Sequence, residues 1–118
     1  MAFDWRDFLA LAKTLQAGLG GVTTEASTRS AVSRAYYAAF CHARNYAVSN
    51  LSFRAGQNVD DHMRIRSHLS GRGMLEVSRR LNQLRQWRNS CDYDDTVLNL
   101  GRIVGSAIHE AEAVLNRL

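Results

Sequence analysis

The sequence predicts an all-α protein, an up-and-down bundle of four main helices with one extra short helix. Three observations carry this. The 118 residues contain no proline, which suits long uninterrupted helices. Apolar residues recur at spacings of three and four along most of the chain. No stretch shows the alternation of a half-buried strand. A chain of 118 residues is long enough for one domain with a single core, taken as residues 1–118, and too short for two.

The first helix is expected over residues 4–19. Asp4 is a good N-cap, and Asp7 is the acidic half of a capping-box-like pair. Phe3 and Phe8 occupy the two positions of a hydrophobic staple. Trp5, Phe8, Leu9, Ala12, Leu15 and Leu19 form one apolar stripe. Gly18, Gly20 and Gly21 end the helix.

The second helix is expected over residues 24–48, capped by Thr23 or Thr24, with Glu25 complementing its dipole. Val32, Ala35, Tyr36, Ala39, Ala43, Tyr46 and Ala47 share a face. The alanines thin the helix, so a neighbour can approach closely. The opposite face carries Arg34, Tyr37, Cys41 and Arg44, and Tyr37 is placed to line a cleft. Residues 49–59 hold the breakers Asn50, Ser52, Gly56 and Asn58 and read as a loop. Asp60 or Asp61 starts a short third helix to about Ser70, and Gly71 and Gly73 follow.

The fourth helix is expected from Met74 to Cys91 or Asp92. Its seam is Val77, Leu81, Leu84, Arg88 and Cys91, which puts Arg88 on the inward stripe and Arg80 off it. Asp94 or Asp95 is expected to cap a fifth helix running to the C-terminus. Its stripe is Val97, Leu100 or Gly101, Val104, Ile108, Ala111, Leu115 and Leu118.

Charge narrows the partners. The net charge is +4, and fourteen of the fifteen basic residues are arginine. Between His62 and Cys91 there are seven arginines, Arg85 and Arg88 among them, and one acid, Glu76. The guanidinium fork suits phosphate, and a basic face is the electrostatic footprint of nucleic-acid binding. No apolar run is long enough to span a membrane. The start, MAFDWRDF, lacks the basic and apolar regions of a signal peptide. Cys41 and Cys91 have no framework spacing and read as reduced thiols, so a cytoplasmic protein is expected.

Candidate chemistry gathers at the end of the fourth helix, in LNQLRQWRNSCDYDD. A guanidinium on an inward stripe demands a partner. Asp92, one turn on from Arg88, offers an intrahelical pair; a phosphate bound at a cleft is the other solution. The four histidines show no ligand spacing, and His42, His62, His68 and His109 read as surface or cap residues. No metal site and no cofactor are expected. The cysteines read as small packing residues.

RSAVSRAYYAAFCHAR, from Arg29 to Arg44, followed by LRQWRNSCDYD, from Leu84 to Asp94, resembles the HEPN superfamily, specifically its small standalone prokaryotic members. The likeness covers nearly the whole chain in order. It implies a four-helix bundle that usually dimerises. In active members an arginine, a polar residue and a histidine four to six positions on form a metal-independent ribonuclease cleft between two copies. Many members are toxins or defence effectors, often paired with a small nucleotidyltransferase antitoxin. Arg88 matches the arginine and Asn89 the polar residue. The histidine does not carry over; Tyr93 stands at its spacing, preceded by Asp92.

The resemblance therefore implies Arg88, Asn89, Asp92 and Tyr93 as the catalytic group. Arg34, Tyr37 and Arg85 would contact RNA, and a homodimer would bring two motif helices together. Unperturbed tyrosine titrates near ~10 and aspartate near ~4, so Tyr93 is suited to donate a proton and Asp92 to accept one. Two other readings stand beside this one. In the first, a non-catalytic dimeric module binds RNA, a nucleotide or a nucleotidyltransferase partner. In the second, Arg88 and Asp92 only tie helices together.

Overall fold

The computed structural model describes every residue except Met1, Leu19 and Gln57. Five helices follow in order: α1 (Arg6–Ala17), α2 (Glu25–Asn50), α3 (Asp61–Gly71), α4 (Leu75–Tyr93) and α5 (Leu100–Arg117). There is no strand among the described residues. The bundle measures 43 × 31 × 23 Å.

α2 is the central element and touches all four other helices. Its composition explains this. Ala31, Ala35, Ala38, Ala39, Ala43 and Ala47 are completely buried, so neighbours approach the backbone from several sides. Tyr36 is 1% exposed, the largest fully buried side chain. Thr24 caps the helix in a reciprocal box with Ser27, each side chain accepting from the other's backbone N–H at 3.0 Å.

The face of α2 opposite Tyr36 is also covered. α1 lies over it, and Cys41 is buried there. The Arg34 guanidinium sits 4.9 Å from the centre of the Phe8 ring, and that of Arg44 5.7 Å from the Trp5 ring. Phe3 and Phe8 meet edge to face at 5.4 Å, as a staple requires. α1 begins two residues later than the sequence indicates, with Trp5 at the N-cap. Asp4 still serves the first turn, because its carboxylate accepts from the Arg6 N–H at 3.0 Å. The expected stripe residue Leu19 lies outside the described residues.

On α4 the seam is as expected: Val77, Leu81, Leu84 and Cys91 are all buried. α3 and α4 are joined through Ile65, Leu69 and Val77 in one core with α2 and α5. Truncating a fully buried leucine such as Leu84 would cost about 2–5 kcal/mol.

The start of α5 differs from expectation. Neither Asp94 nor Asp95 caps it; the helix begins at Leu100 behind Asn99, which takes a left-handed φ of 59°. The cause is Arg29. Its guanidinium donates to the carbonyls of Cys91 (3.1 Å), Asp94 (2.5 Å) and Asp95 (3.1 Å). The peptide groups after α4 are therefore engaged across the bundle by α2. Asp94 is left extended, with φ −85° and ψ 137°.

Candidate functional site

The α4 seam carries Arg88 inward, where its side chain is 12% exposed. Its guanidinium lies 5.4 Å from the ring centres of both Tyr36 and Tyr37. The two rings meet edge to face at 5.2 Å and present π-density to the cation. Asp92 is the ion-pair partner, with its Oδ2 at 3.6 Å from Nη1. That separation is too long for a hydrogen bond. The same Oδ2 accepts from the Ser33 hydroxyl at 3.4 Å. Arg88 Nε is buried with no hydrogen-bond partner, and so is Arg85 Nε one turn earlier.

A third guanidinium completes the cluster. Arg66 of α3 donates to the His62 carbonyl at 2.9 Å. Burial, and then the charge of Arg85, hold Arg66 below the usual arginine range. Arg66, Arg85 and Arg88 all act electrostatically on the Tyr36 phenol. Burial nevertheless dominates there and pushes the phenol well above its ordinary value, so it stays protonated. Arg88 thus lies over the Tyr36 ring, with Arg66 and Arg85 near enough to act on its phenol and a loosely placed carboxylate beside Arg88. Unpartnered guanidinium donors in a partly buried site are costly.

The structure adds a residue that sequence spacing does not select. His62, at the start of α3, shares a hydrogen bond between its Nδ1 and the Tyr36 hydroxyl. Its ring stacks on Phe40 at 4.1 Å with an interplanar angle of 10°. Burial lowers the imidazole pKa, and the charges of Arg88, Arg66 and Arg85 lower it further, against Asp61. Asp61 itself accepts from the Gly56 N–H at 2.9 and 3.0 Å and from Arg64 at 2.7 Å. The hint in the sequence is indirect: Tyr36 reads as core, and a buried tyrosine hydroxyl needs a partner.

The other candidates are dispersed. Asn89 is half-buried beside Arg88. Tyr93 is 75% exposed, and its position at the last turn of α4 turns it to solvent. Arg34 lies over Tyr37 at 5.4 Å, on the side of that ring network reached by α1. Both cysteines are buried and free, and burial raises both thiol pKa values. No group of three His, Cys, Asp or Glu side chains is placed to hold a metal ion among the described residues. No described helix is long and apolar enough to cross a membrane.

Comparison of the chain with models of known protein families, with curated proteins and with solved structures finds no match.

Proposed function

We propose that this chain is an RNA-directed domain of HEPN type, a metal-independent ribonuclease-like component of a toxin or defence system. The observation that carries the proposal is the state of Arg88. Its guanidinium is largely buried, its Nε has no partner, and its one ion pair is stretched to 3.6 Å. A residue kept only to tie helices would be expected to hold its carboxylate in a bidentate grip. Here Nε is shut off from solvent, and the terminal Nη groups, held only by the long Asp92 pair, are the donors left for another acceptor.

In this reading Arg88, with Arg85 and Arg66 beside it, binds the scissile phosphate. It stabilises the charge that builds on the phosphorane when a ribose 2′-hydroxyl attacks. Arg66 also lines a groove of about 560 Å³ between α3 and α4, together with Ser67, Ser70, Arg79 and Asn82. That groove gives a strand a place to lie against two further guanidinium groups, Arg66 and Arg79. The reading includes a homodimer formed through α4 and its neighbours, cytoplasmic placement, and a nucleotidyltransferase-type antitoxin as partner.

A second reading is binding without cleavage, and one observation favours it. Tyr93, which the family motif would place in the proton-transfer role, is turned to solvent. An assay with labelled single-stranded RNA in the presence of a chelator tests both. Wild type should bind and cut, and Arg88→Ala should do neither. Full activity of Arg88→Ala would sink the site assignment, and salt-sensitive binding without cutting would select the second reading.

A further inference from the structure

We infer that the outward face of α3 is a second contact surface for RNA, which holds a single strand by its phosphates across two grooves and without regard to base. The surface is proposed on the reading of Arg88 as the phosphate-binding residue. It would hold nucleotides outside the Arg88 contact.

Charge pairing within the chain singles this face out. Glu76 is the one acid between His62 and Cys91. It is taken by Arg80 at 2.7 Å, and Arg80 also reaches Glu110 of α5 at 2.5 Å. Arg79, the next residue, is exposed, and its side chain has no ion pair or hydrogen bond among the described residues. The side chain of Arg54, in the loop before α3, is in the same state. Arg66 donates to the His62 carbonyl and has no carboxylate at ion-pair distance among the described residues. The chain leaves three guanidinium groups on this face without a counter-charge of their own.

Shape adds to charge. The groove of about 560 Å³ between α3 and α4 is lined by Arg66 and Arg79 with Ser67, Ser70 and Asn82. A second groove of about 540 Å³ is lined by Arg54 and Arg64 with Ser52 and Ser67. Met63 and Ser67, one turn apart on α3, border both, so the two grooves meet on that helix. No carboxylate lines either one. Arg64 is the weaker contributor, since Asp61 holds it at 2.7 Å and the Arg54 carbonyl at 2.8 Å. The Ser78 hydroxyl donates to the Arg66 carbonyl at 3.0 Å and pins α4 to α3 beneath the first groove. A groove already formed costs little ordering on binding.

Guanidinium forks and serine hydroxyls are phosphate donors. The rings nearby are not free to stack a base: Phe53 is 6% exposed, and the His68 Nε2 is engaged by the Leu51 carbonyl at 2.7 Å. Contacts of this kind position a strand and carry no sequence information. Two concave grooves that meet on one helix suit a flexible strand better than a stiff duplex or a flat lipid surface.

Fluorescence anisotropy tests this on wild type, Arg79→Gln, Arg54→Gln, the double variant and Arg88→Ala, with thermal melting to check folding. The ligands are single-stranded RNAs of about 4 and about 20 nucleotides in two unrelated sequences, a duplex, polyglutamate, and vesicles of phosphatidylglycerol. Each single variant should weaken binding of the long strand about fivefold, equally for both sequences, and change the short one by less than about twofold. The salt dependence should flatten by about 0.7 for each phosphate released. Undiminished long-strand affinity in the folded double variant overturns the inference, and a loss in Arg88→Ala beside it leaves the Arg88 reading intact. Equal losses at both lengths, or a loss on one sequence alone, also overturn it. So does tighter binding of the duplex, polyglutamate or vesicles than of the long strand. Wild type that binds no RNA overturns the reading beneath it as well.

Discussion

The guanidinium of Arg88 lies 5.4 Å from the centre of the Tyr36 ring, over a side chain that is itself 1% exposed. A cation is thus set into the edge of the hydrophobic core. A cation–π interaction of this kind is worth about 0.5–2 kcal/mol. It does not replace the hydrogen bonds that a guanidinium gives up on leaving water.

Arg88 should accordingly be dispensable for folding and indispensable for binding. Arg88→Met is expected to keep or raise the melting temperature, since an apolar side chain of similar length relieves a partly buried charge. The same variant should weaken RNA affinity by tenfold or more. Its plot of log affinity against log salt should flatten by about 0.7 for each phosphate that Arg88 no longer neutralises. A clear fall in melting temperature with unchanged binding would point instead to a residue that ties α4 to α2.

Tyr36→Phe removes one oxygen and leaves the packed ring. Without the hydrogen bond to His62, stability should fall by about 0.5–1.5 kcal/mol. RNA affinity should stay near wild type because the ring under Arg88 remains. Urea titration and anisotropy on the same sample separate the two effects. A large drop in affinity would mean that the hydroxyl touches the ligand.

Arg29 makes a different kind of claim. Its three carbonyl acceptors at 2.5–3.1 Å belong to the end of α4 and the link to α5. Arg29→Ala should cost about 2 kcal/mol, and Arg29→Lys should recover little, because an ammonium lacks the planar fork. Hydrogen exchange should accelerate over residues 94–99 before it does so in α2. Uniform acceleration would contradict the local role.

The pH dependence of stability follows from His42 and His62, both held below the ordinary imidazole value chiefly by burial. The unfolded imidazole titrates near ~6.5, so below that pH the unfolded chain binds more protons than the folded one. Their contribution is complete above about pH 7 and is lost as pH falls through the depressed folded values. The urea midpoint should therefore drop between pH 7.5 and pH 5, roughly across the ~6.5 titration. His62→Gln should remove part of that drop, and an unchanged slope in the variant would show that His62 is not linked to folding.

Much of the molecule is legible in its sequence, and the failures share a cause. The seam from Val77 to Cys91 follows helical period, and period alone places Arg88 inward, as found. Thr24 as a cap and Tyr36 as core are likewise local signals. The start of α5 escapes them because Arg29, more than sixty residues away, captures the carbonyls that Asp94 and Asp95 would otherwise commit to a helix. His62 reads as a surface residue when it is weighed only against the other histidines. Its partner is a tyrosine 26 positions earlier, on α2. Arg34 and Tyr37 share a helical face, and they do lie together. Arg34 nevertheless also packs on Phe8, and Tyr37 sits between two cations. Local periodicity finds which residues turn inward and is blind to what they meet there.

The carboxylate of Asp61 holds the Gly56 backbone, and Arg64 reaches back to the Arg54 carbonyl at 2.8 Å. A side chain added at Gly56 would meet Arg64 and Asn58 at 3.0 Å. The stretch from Arg54 to Arg64 is thereby latched to itself as a cassette, with His62 riding on it. The hydrogen bond between His62 and Tyr36 then fastens that surface segment to the largest fully buried side chain of the bundle.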